Sequence, residues 1–223
     1  AAKNATATIP IVFGSSGDVV ALGFVPNRAR PGGNMTGGIF FVVELAAKRI
    51  ELIKEVLPRL TAVAWLVNPD SPAIQSNSQQ MEATARSSKV MLHQFPVRGP
   101  HEFEAAFAAM VKQRVGAVLL IDDPSYIVNS TTLVQLAAKH MLPSIGFNEI
   151  AVAGGLMGYG VNFDGMFRRA AYFVDKILKG AKPGDIPIEQ ATRFEFIVNM
   201  KTAKALGITL PSAVLVRADR VIE

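Results

Sequence analysis

The sequence contains no cysteine, which excludes disulfide bonds, thiolate nucleophiles and metal sites built on cysteine. It has only three histidines, and none stands in an HExxH or paired His–carboxylate spacing of the kind that binds a metal ion. The segment Gly14-Ser15-Ser16-Gly17 lacks the lysine of a phosphate-binding loop and the G-x-S-x-G pattern of a nucleophile elbow. We therefore expect no enzymatic activity, no metal and no cofactor.

Long apolar runs and dense charge are also lacking. No apolar run approaches the roughly 20 residues of a membrane span. Residues 1–6 lack the apolar region of a signal peptide, and we therefore expect the mature chain to begin upstream. The net charge of +5 forms no basic stripe with interleaved aromatic residues, and nucleic-acid binding is therefore not expected. Half of the 223 residues are hydrophobic, which is enough for a large core.

The middle of the chain alternates apolar runs with amphipathic segments. The apolar runs predict strands at 61–67, 90–97, 117–121 and 144–147, with helices between them. Ser71 and Pro72 have the residue types of a helix N-cap and first helical position. The strands are apolar throughout, as in a parallel sheet that helices cover on both faces. This pattern predicts an α/β fold.

The first forty residues predict an incomplete second sheet. A strand at 9–13 opens into a loop at 14–18, a short helix follows to about residue 29, and an extended segment covers 35–40. Further along, Asp164 is expected to cap a helix at 166–178. Two strands cannot form a well-covered parallel sheet alone. Either they join strands beyond this sequence, or the chain dimerises to complete them.

Polar side chains follow the predicted strands, at the edge of the sheet where α/β proteins bind ligands. Helix N-termini at that edge also offer unpaired N–H groups to a carboxylate. The candidate ligand-binding residues are Ser15, Ser16, Asp18, Asn68, Asp70, Ser71, Asp123, Tyr126, Asn148 and Tyr159. Because serine, aspartate and asparagine also cap helices and form turns, capping is an equally strong alternative for each such residue taken singly.

The aromatic residues at strand ends need a separate interpretation, because such residues pack into the core more often than they contact a ligand. Tyr126 lies among loop-forming polar residues in Asp123-Pro124-Ser125-Tyr126, which favours a cleft position. Trp65 lies in the middle of a predicted strand, which indicates a core position.

Two runs, Ile9-Pro-Ile-Val-Phe13 and Ala29-Arg-Pro-Gly-Gly-Asn-Met-Thr-Gly37, strongly resemble the ABC transporter substrate-binding family that includes tryptophan- and tyrosine-binding proteins. The resemblance continues through Glu44–Glu55, Asn68-Pro69, Phe103–Phe107, Ala153–Gly160, Arg168–Ala171, Val174–Pro183 and Lys201–Gly207. It covers essentially the whole chain, and the Ala29–Gly37 run is specific.

This resemblance implies a type I periplasmic-binding-protein fold, with two α/β lobes joined by three crossovers. Residues 1–38 and 158–190 would belong to the N-terminal lobe, and residues 39–157 and 191–223 would form the second lobe. Members of the family carry a signal sequence and a further ~80–100 residues before the point that corresponds to Ala1. We therefore expect the N-terminal lobe to be truncated in this chain.

The resemblance also implies a function, which is that of the extracytoplasmic solute-binding component of an ABC importer. Such a protein would bind a small organic solute, amino-acid-like and aromatic by family preference, in an interlobe cleft, and would present its closed form to the permease subunits. It would be periplasmic, or lipid-anchored in its full-length form. The alternative is the ligand-sensing effector domain of a regulator with the same fold, which an upstream helix-turn-helix segment would favour.

Overall fold

The computed structural model describes residues 2–223, apart from the side chains of residues 72–77. The chain divides into two compact units, each built from two segments. Unit 1 comprises Ala1–Phe41 and Val161–Phe194, and unit 2 comprises Val42–Gly160 and Glu195–Glu223.

The elements alternate between strands and helices along most of the chain. The helices are α1 (Ala2–Ala5), α2 (Val42–Val56), α3 (Pro72–Ser87), α4 (Pro100–Lys112), α5 (Pro124–Val128), α6 (Ser130–Lys139), α7 (Asn148–Val152), α8 (Phe163–Leu178), α9 (Met200–Ala205) and α10 (Ser212–Arg217). The strands are β1 (Ile11–Ser16), β2 (Met35–Phe40), β3 (Ala62–Val67), β4 (Met91–Pro96), β5 (Ala117–Leu119), β6 (Ser144–Gly146), β7 (Met157–Val161), β8 (Glu189–Gln190), β9 (Phe194–Asn199) and β10 (Arg220–Ile222). A short 3-10 turn covers Pro183–Asp185.

Unit 2 is built on a seven-stranded sheet with the order β10-β9-β7-β6-β5-β3-β4. The pairs β3–β4, β3–β5, β5–β6 and β6–β7 are all parallel, and their register sets Val63 opposite Ala117 and Val118 opposite Ser144. Trp65 is buried in the middle of β3, as its position in an apolar run predicted. The predicted α/β fold with a parallel sheet is therefore confirmed.

Unit 1 contains a three-stranded parallel sheet with the order β1-β2-β8. Its core consists of Val19, Val25, Met35, Ile39 and Ile188. Gly37 has a φ of +153°, and a Cβ atom there would lie 2.0 Å from the carbonyl oxygen of Phe13, so only glycine allows β1 and β2 to pair this closely. Further strands before residue 1, and dimerisation, stay predictions.

Two local predictions in unit 1 are wrong. Residues 18–29 form turns and not a helix: the Asp18 carboxylate accepts a hydrogen bond from the N–H of Val20 at 2.9 Å, and Gly23 takes a left-handed φ of +69°. Helix α8 begins earlier than predicted, because the side chain of Asn162, and not that of Asp164, caps it by accepting from the N–H of Gly165 at 2.7 Å.

Candidate functional site

The carboxyl edge of the sheet in unit 2 brings together polar residues that are distant in sequence. Strands β3, β5 and β6 are neighbours and parallel, so the residues that follow them meet at one edge. The side-chain amide of Asn68, after β3, lies 3.5 Å from the carboxylate of Asp123, after β5. Asn148 begins α7 directly after β6, and both Asp123 and Asn148 are only 8% exposed.

Asp123 uses its two carboxylate oxygens differently. Its Oδ1 atom caps α5 by accepting from the N–H of Ser125 at 2.8 Å and from the hydroxyl of the same serine. Its Oδ2 atom faces the amide of Asn68. One oxygen therefore performs the capping role that the sequence left open, while the other is directed toward the edge of the sheet.

The loop after β3 is a turn organised by Asn68. The side-chain oxygen of Asn68 accepts from the N–H of Asp70 at 3.1 Å, and its carbonyl oxygen accepts from the N–H of Ser71 at 3.0 Å. Ser71 is the N-cap of α3 without a side-chain hydrogen bond to the helix. Asp70 is exposed, with its carboxylate 3.4 Å from Arg98.

Tyr126 is a core residue. Its side chain is fully buried, its hydroxyl donates to the carbonyl oxygen of Val97 at 3.1 Å, and its ring meets that of Phe103 edge to face at 6.2 Å. Burial raises the pKa of the Tyr126 hydroxyl well above its ordinary value, and the negative charge of Asp123 raises it further. These contacts place Tyr126 in the core of unit 2, against the cleft position that its polar flanks favoured.

Asn148 lies at the start of α7, after β6, and Tyr159 lies in the neighbouring strand β7. The amide of Asn148 donates to the carboxylate of Glu195 at 3.3 Å. Tyr159, in β7, is half-buried with its ring 6.4 Å from that of Phe196. Partial burial raises the pKa of the Tyr159 hydroxyl. Both residues are therefore held by neighbours that the sequence pattern did not identify.

The structure contains a buried ion pair near this edge that was not predicted from the sequence. Arg49 in α2 and Asp122 after β5 lie 2.7 Å apart, with side chains 0% and 1% exposed. The sequence contained a signal for Arg49, because Leu45, Arg49 and Ile53 share the apolar face of α2. A charge at such a position must find a partner in the core.

In unit 1, the sequence-predicted residues Ser15, Ser16 and Asp18 lie at and just after the end of β1. Ser15 and Ser16 are half-buried and pair with Ile39 and Phe40 of β2. Asp18 is exposed, and its carboxylate holds the turn that follows.

Neither a metal-binding cluster nor a membrane-spanning helix occurs in the part of the chain that the structure describes. Among the described residues, no three His, Asp or Glu side chains are grouped so that they could hold a metal ion. Within the same part of the chain, no helix combines the length and the apolar character needed to cross a membrane.

Comparison with known proteins identifies relatives over nearly the whole chain. A tyrosine-binding protein of Clostridioides difficile (strain R20291) is 26% identical over 215 residues, which cover 96% of this chain. The chain spans 61% of the length of that relative.

Solved structures are similar over the same extent. A conserved domain protein from Vibrio cholerae O1 biovar El Tor has a TM-score of 0.89 at 26% identity. The similarity covers 98% of this chain and 73% of the Vibrio chain. An ABC domain in complex with L-Trp from Streptococcus pneumoniae also has a TM-score of 0.89, at 24% identity. The similarity covers 98% of this chain and 74% of the solved one.

The fold is that of the type I periplasmic binding proteins, as the resemblance implied. The sequence model of the family described as "ABC transporter substrate binding protein" matches residues 1–222. This chain therefore belongs to the family of ABC transporter substrate-binding proteins.

Proposed function

We propose that this chain is the extracytoplasmic solute-binding component of an ABC importer and that it binds a free amino acid, with an aromatic one preferred, without turning it over. The family match over residues 1–222 is the observation that carries this proposal. It favours import over the effector domain of a regulator, because the matched family is one of transporter components. The permease subunits of the importer are the expected protein partner.

The solute class is supported by the tyrosine-binding relative and by the related domain that was solved with L-Trp. An amino acid has an ammonium group and a carboxylate, and each needs a polar partner once it leaves water. In unit 2, the Oδ2 atom of Asp123 is the expected partner of the ammonium group. The amides of Asn68 and Asn148 supply further hydrogen bonds at the same edge.

The carboxylate of the solute has a different expected partner, namely the first backbone N–H groups of α3 after Ser71. Tyr159 is the aromatic residue at this edge, whereas Tyr126 is committed to the core. In unit 1, Ser15, Ser16 and Asp18 are proposed contacts because they stand at the end of β1. The position of the solute between two lobes stays a prediction of the family resemblance.

Thermal unfolding with added solutes tests this proposal. A ligand that binds only the folded state raises the midpoint of unfolding, by an amount that grows with its concentration. We expect L-tyrosine and L-tryptophan to raise the midpoint, and D-ribose at the same concentration to leave it unchanged. A rise with the sugar and none with either amino acid would exclude the proposed solute class.

A further inference from the structure

Arg49 connects the segment that follows β5 with β7, two strands that are not neighbours in the sheet. Its Nε atom donates to the carbonyl oxygen of Tyr159 in β7 at 2.7 Å, and its Nη1 atom donates to the carboxylate of Asp122 at 2.7 Å. The same Nη1 atom lies 3.4 Å from the carbonyl oxygen of Leu120, just after β5. Strand β6 lies between β5 and β7. The guanidinium group therefore reaches across the position of β6, from the residues that follow β5 to Tyr159 in β7.

The stability of the fold does not explain why a charged pair occupies this position. Within the described structure, the Nη2 atom of Arg49 and the Oδ1 atom of Asp122 are buried without a hydrogen-bond partner. A buried pair that is not fully hydrogen-bonded loses much of its attraction to desolvation, and apolar residues of similar size often replace such pairs without loss of stability. The specific geometry of the guanidinium group is what an apolar pair would not reproduce.

The guanidinium group also lies directly against the edge that carries the proposed solute contacts. A Cβ atom at Gly160 would stand 3.2 Å from the Nη2 atom of Arg49 and 3.4 Å from the side-chain oxygen of Asn148. Asp123 follows Asp122 in the chain, and Tyr159 precedes Gly160. Arg49 is therefore close to each of these groups, either in space or through an adjacent residue of the chain.

We infer that Arg49, oriented by Asp122, is a positioning residue for solute binding, because it fixes the ends of β5 and β7 and with them Asp123, Asn148 and Tyr159. Arg49 does not contact the solute; it acts through the backbone carbonyl groups that it holds. The inference rests on the proposed function for the identity of the solute. The fixing of the strand ends can be measured without any solute.

The experiment compares the wild-type chain with an apolar replacement of the pair, Arg49→Met/Asp122→Leu. The matched control makes the same kind of replacement at an exposed pair of unit 2, Arg86→Met/Glu82→Leu, whose charged atoms are 3.6 Å apart on α3. Three quantities are measured for each protein: the urea midpoint of unfolding, amide hydrogen exchange at residues 120–123 and 158–160, and the affinity for L-tyrosine.

We expect the Arg49→Met/Asp122→Leu variant to unfold at the wild-type urea midpoint or above it. Amide exchange at the two strand ends should nevertheless be about tenfold faster or more, because these amides then open locally without global unfolding. The affinity for L-tyrosine should fall about tenfold or more through the lost pre-organisation. The control variant should match the wild type in strand-end exchange and in affinity.

Unchanged exchange at the strand ends in a folded double variant would overturn the inference, and so would an unchanged affinity for L-tyrosine. If the wild type binds no amino acid, the proposed function fails, and the exchange rates still decide whether Arg49 fixes this edge. If the double variant does not fold, Arg49→Lys replaces it. Lysine keeps the positive charge opposite Asp122 but cannot reproduce the planar set of N–H donors of arginine. Wild-type exchange rates at the strand ends of that variant would therefore also overturn the inference.

Discussion

The side-chain amide of Asn68 and the Oδ2 atom of Asp123 lie 3.5 Å apart, although 55 residues separate them in the chain. They meet because β3 and β5 are parallel neighbours whose carboxyl ends share one edge. Asp123 caps α5 with its other oxygen. The bond to α5 thus fixes the orientation of the carboxylate, and its Oδ2 atom is left for the proposed solute.

Two substitutions at Asp123 separate its capping role from its charge. Asparagine is a good N-cap, so Asp123→Asn should lower the free energy of unfolding by less than Asp123→Ala, which should cost about 1 kcal/mol. Both variants lose the charge opposite the solute ammonium group, so both should bind L-tyrosine about 2–5 kcal/mol more weakly. Urea unfolding and calorimetry measure the two effects. If Asp123→Asn bound L-tyrosine as tightly as the wild type, Asp123 would be a cap alone.

The Tyr126 hydroxyl predicts a loss of stability at high pH. Its pKa is raised in the folded state, chiefly by burial, so the unfolded chain releases this proton first, near the ordinary value of about 10. The contribution of the group is fully present below pH about 10 and is lost as the pH rises beyond that value.

Tyr126→Phe isolates this effect from the titration of lysines and other tyrosines. At pH 7 the variant should be less stable by about 0.5–1.5 kcal/mol, because it lacks the hydrogen bond to Val97. The difference should shrink or reverse as the pH rises above about 10. Urea unfolding of both proteins across this range checks the sign, and a constant difference would contradict the buried, neutral hydroxyl.

A methyl group at Gly160 is predicted to destabilise unit 2. A Cβ atom there would lie 3.2 Å from Arg49, which is itself held by three other atoms, so Gly160→Ala should lower the free energy of unfolding by about 1–3 kcal/mol. The control is Gly38→Ala in β2, where the nearest atom outside the adjacent residues would be 3.7 Å away. Urea unfolding should show little loss for the control, and equal losses in the two variants would contradict the tight contact at Gly160.

The sequence was sufficient where the signal was local. The apolar run of β3 and the Ser71-Pro72 pair after it predicted a buried strand and the start of α3 correctly. Local competition caused two errors: Gly23 favours a left-handed turn over a helix, and Asn162 and Asp164 are both good caps only two residues apart.

The site was harder to predict from the sequence because its contacts join residues that are far apart in the chain. Arg49 finds Asp122 73 residues away, and no local pattern specifies that partner. Tyr126 is flanked by polar loop residues, but its ring points toward Phe103 and Val97 in the core, a direction that sequence spacing does not contain. The strand ends could therefore be located from the sequence, whereas the orientation of their side chains could not.

Isothermal titration calorimetry of the wild-type chain with L-tyrosine and L-tryptophan tests the central claim most directly, with D-ribose as the matched control solute. We predict saturable binding of at least one of the two amino acids, no heat with D-ribose, and a marked loss of affinity in Asp123→Asn. Saturable binding of the sugar with no response to either amino acid would contradict the account.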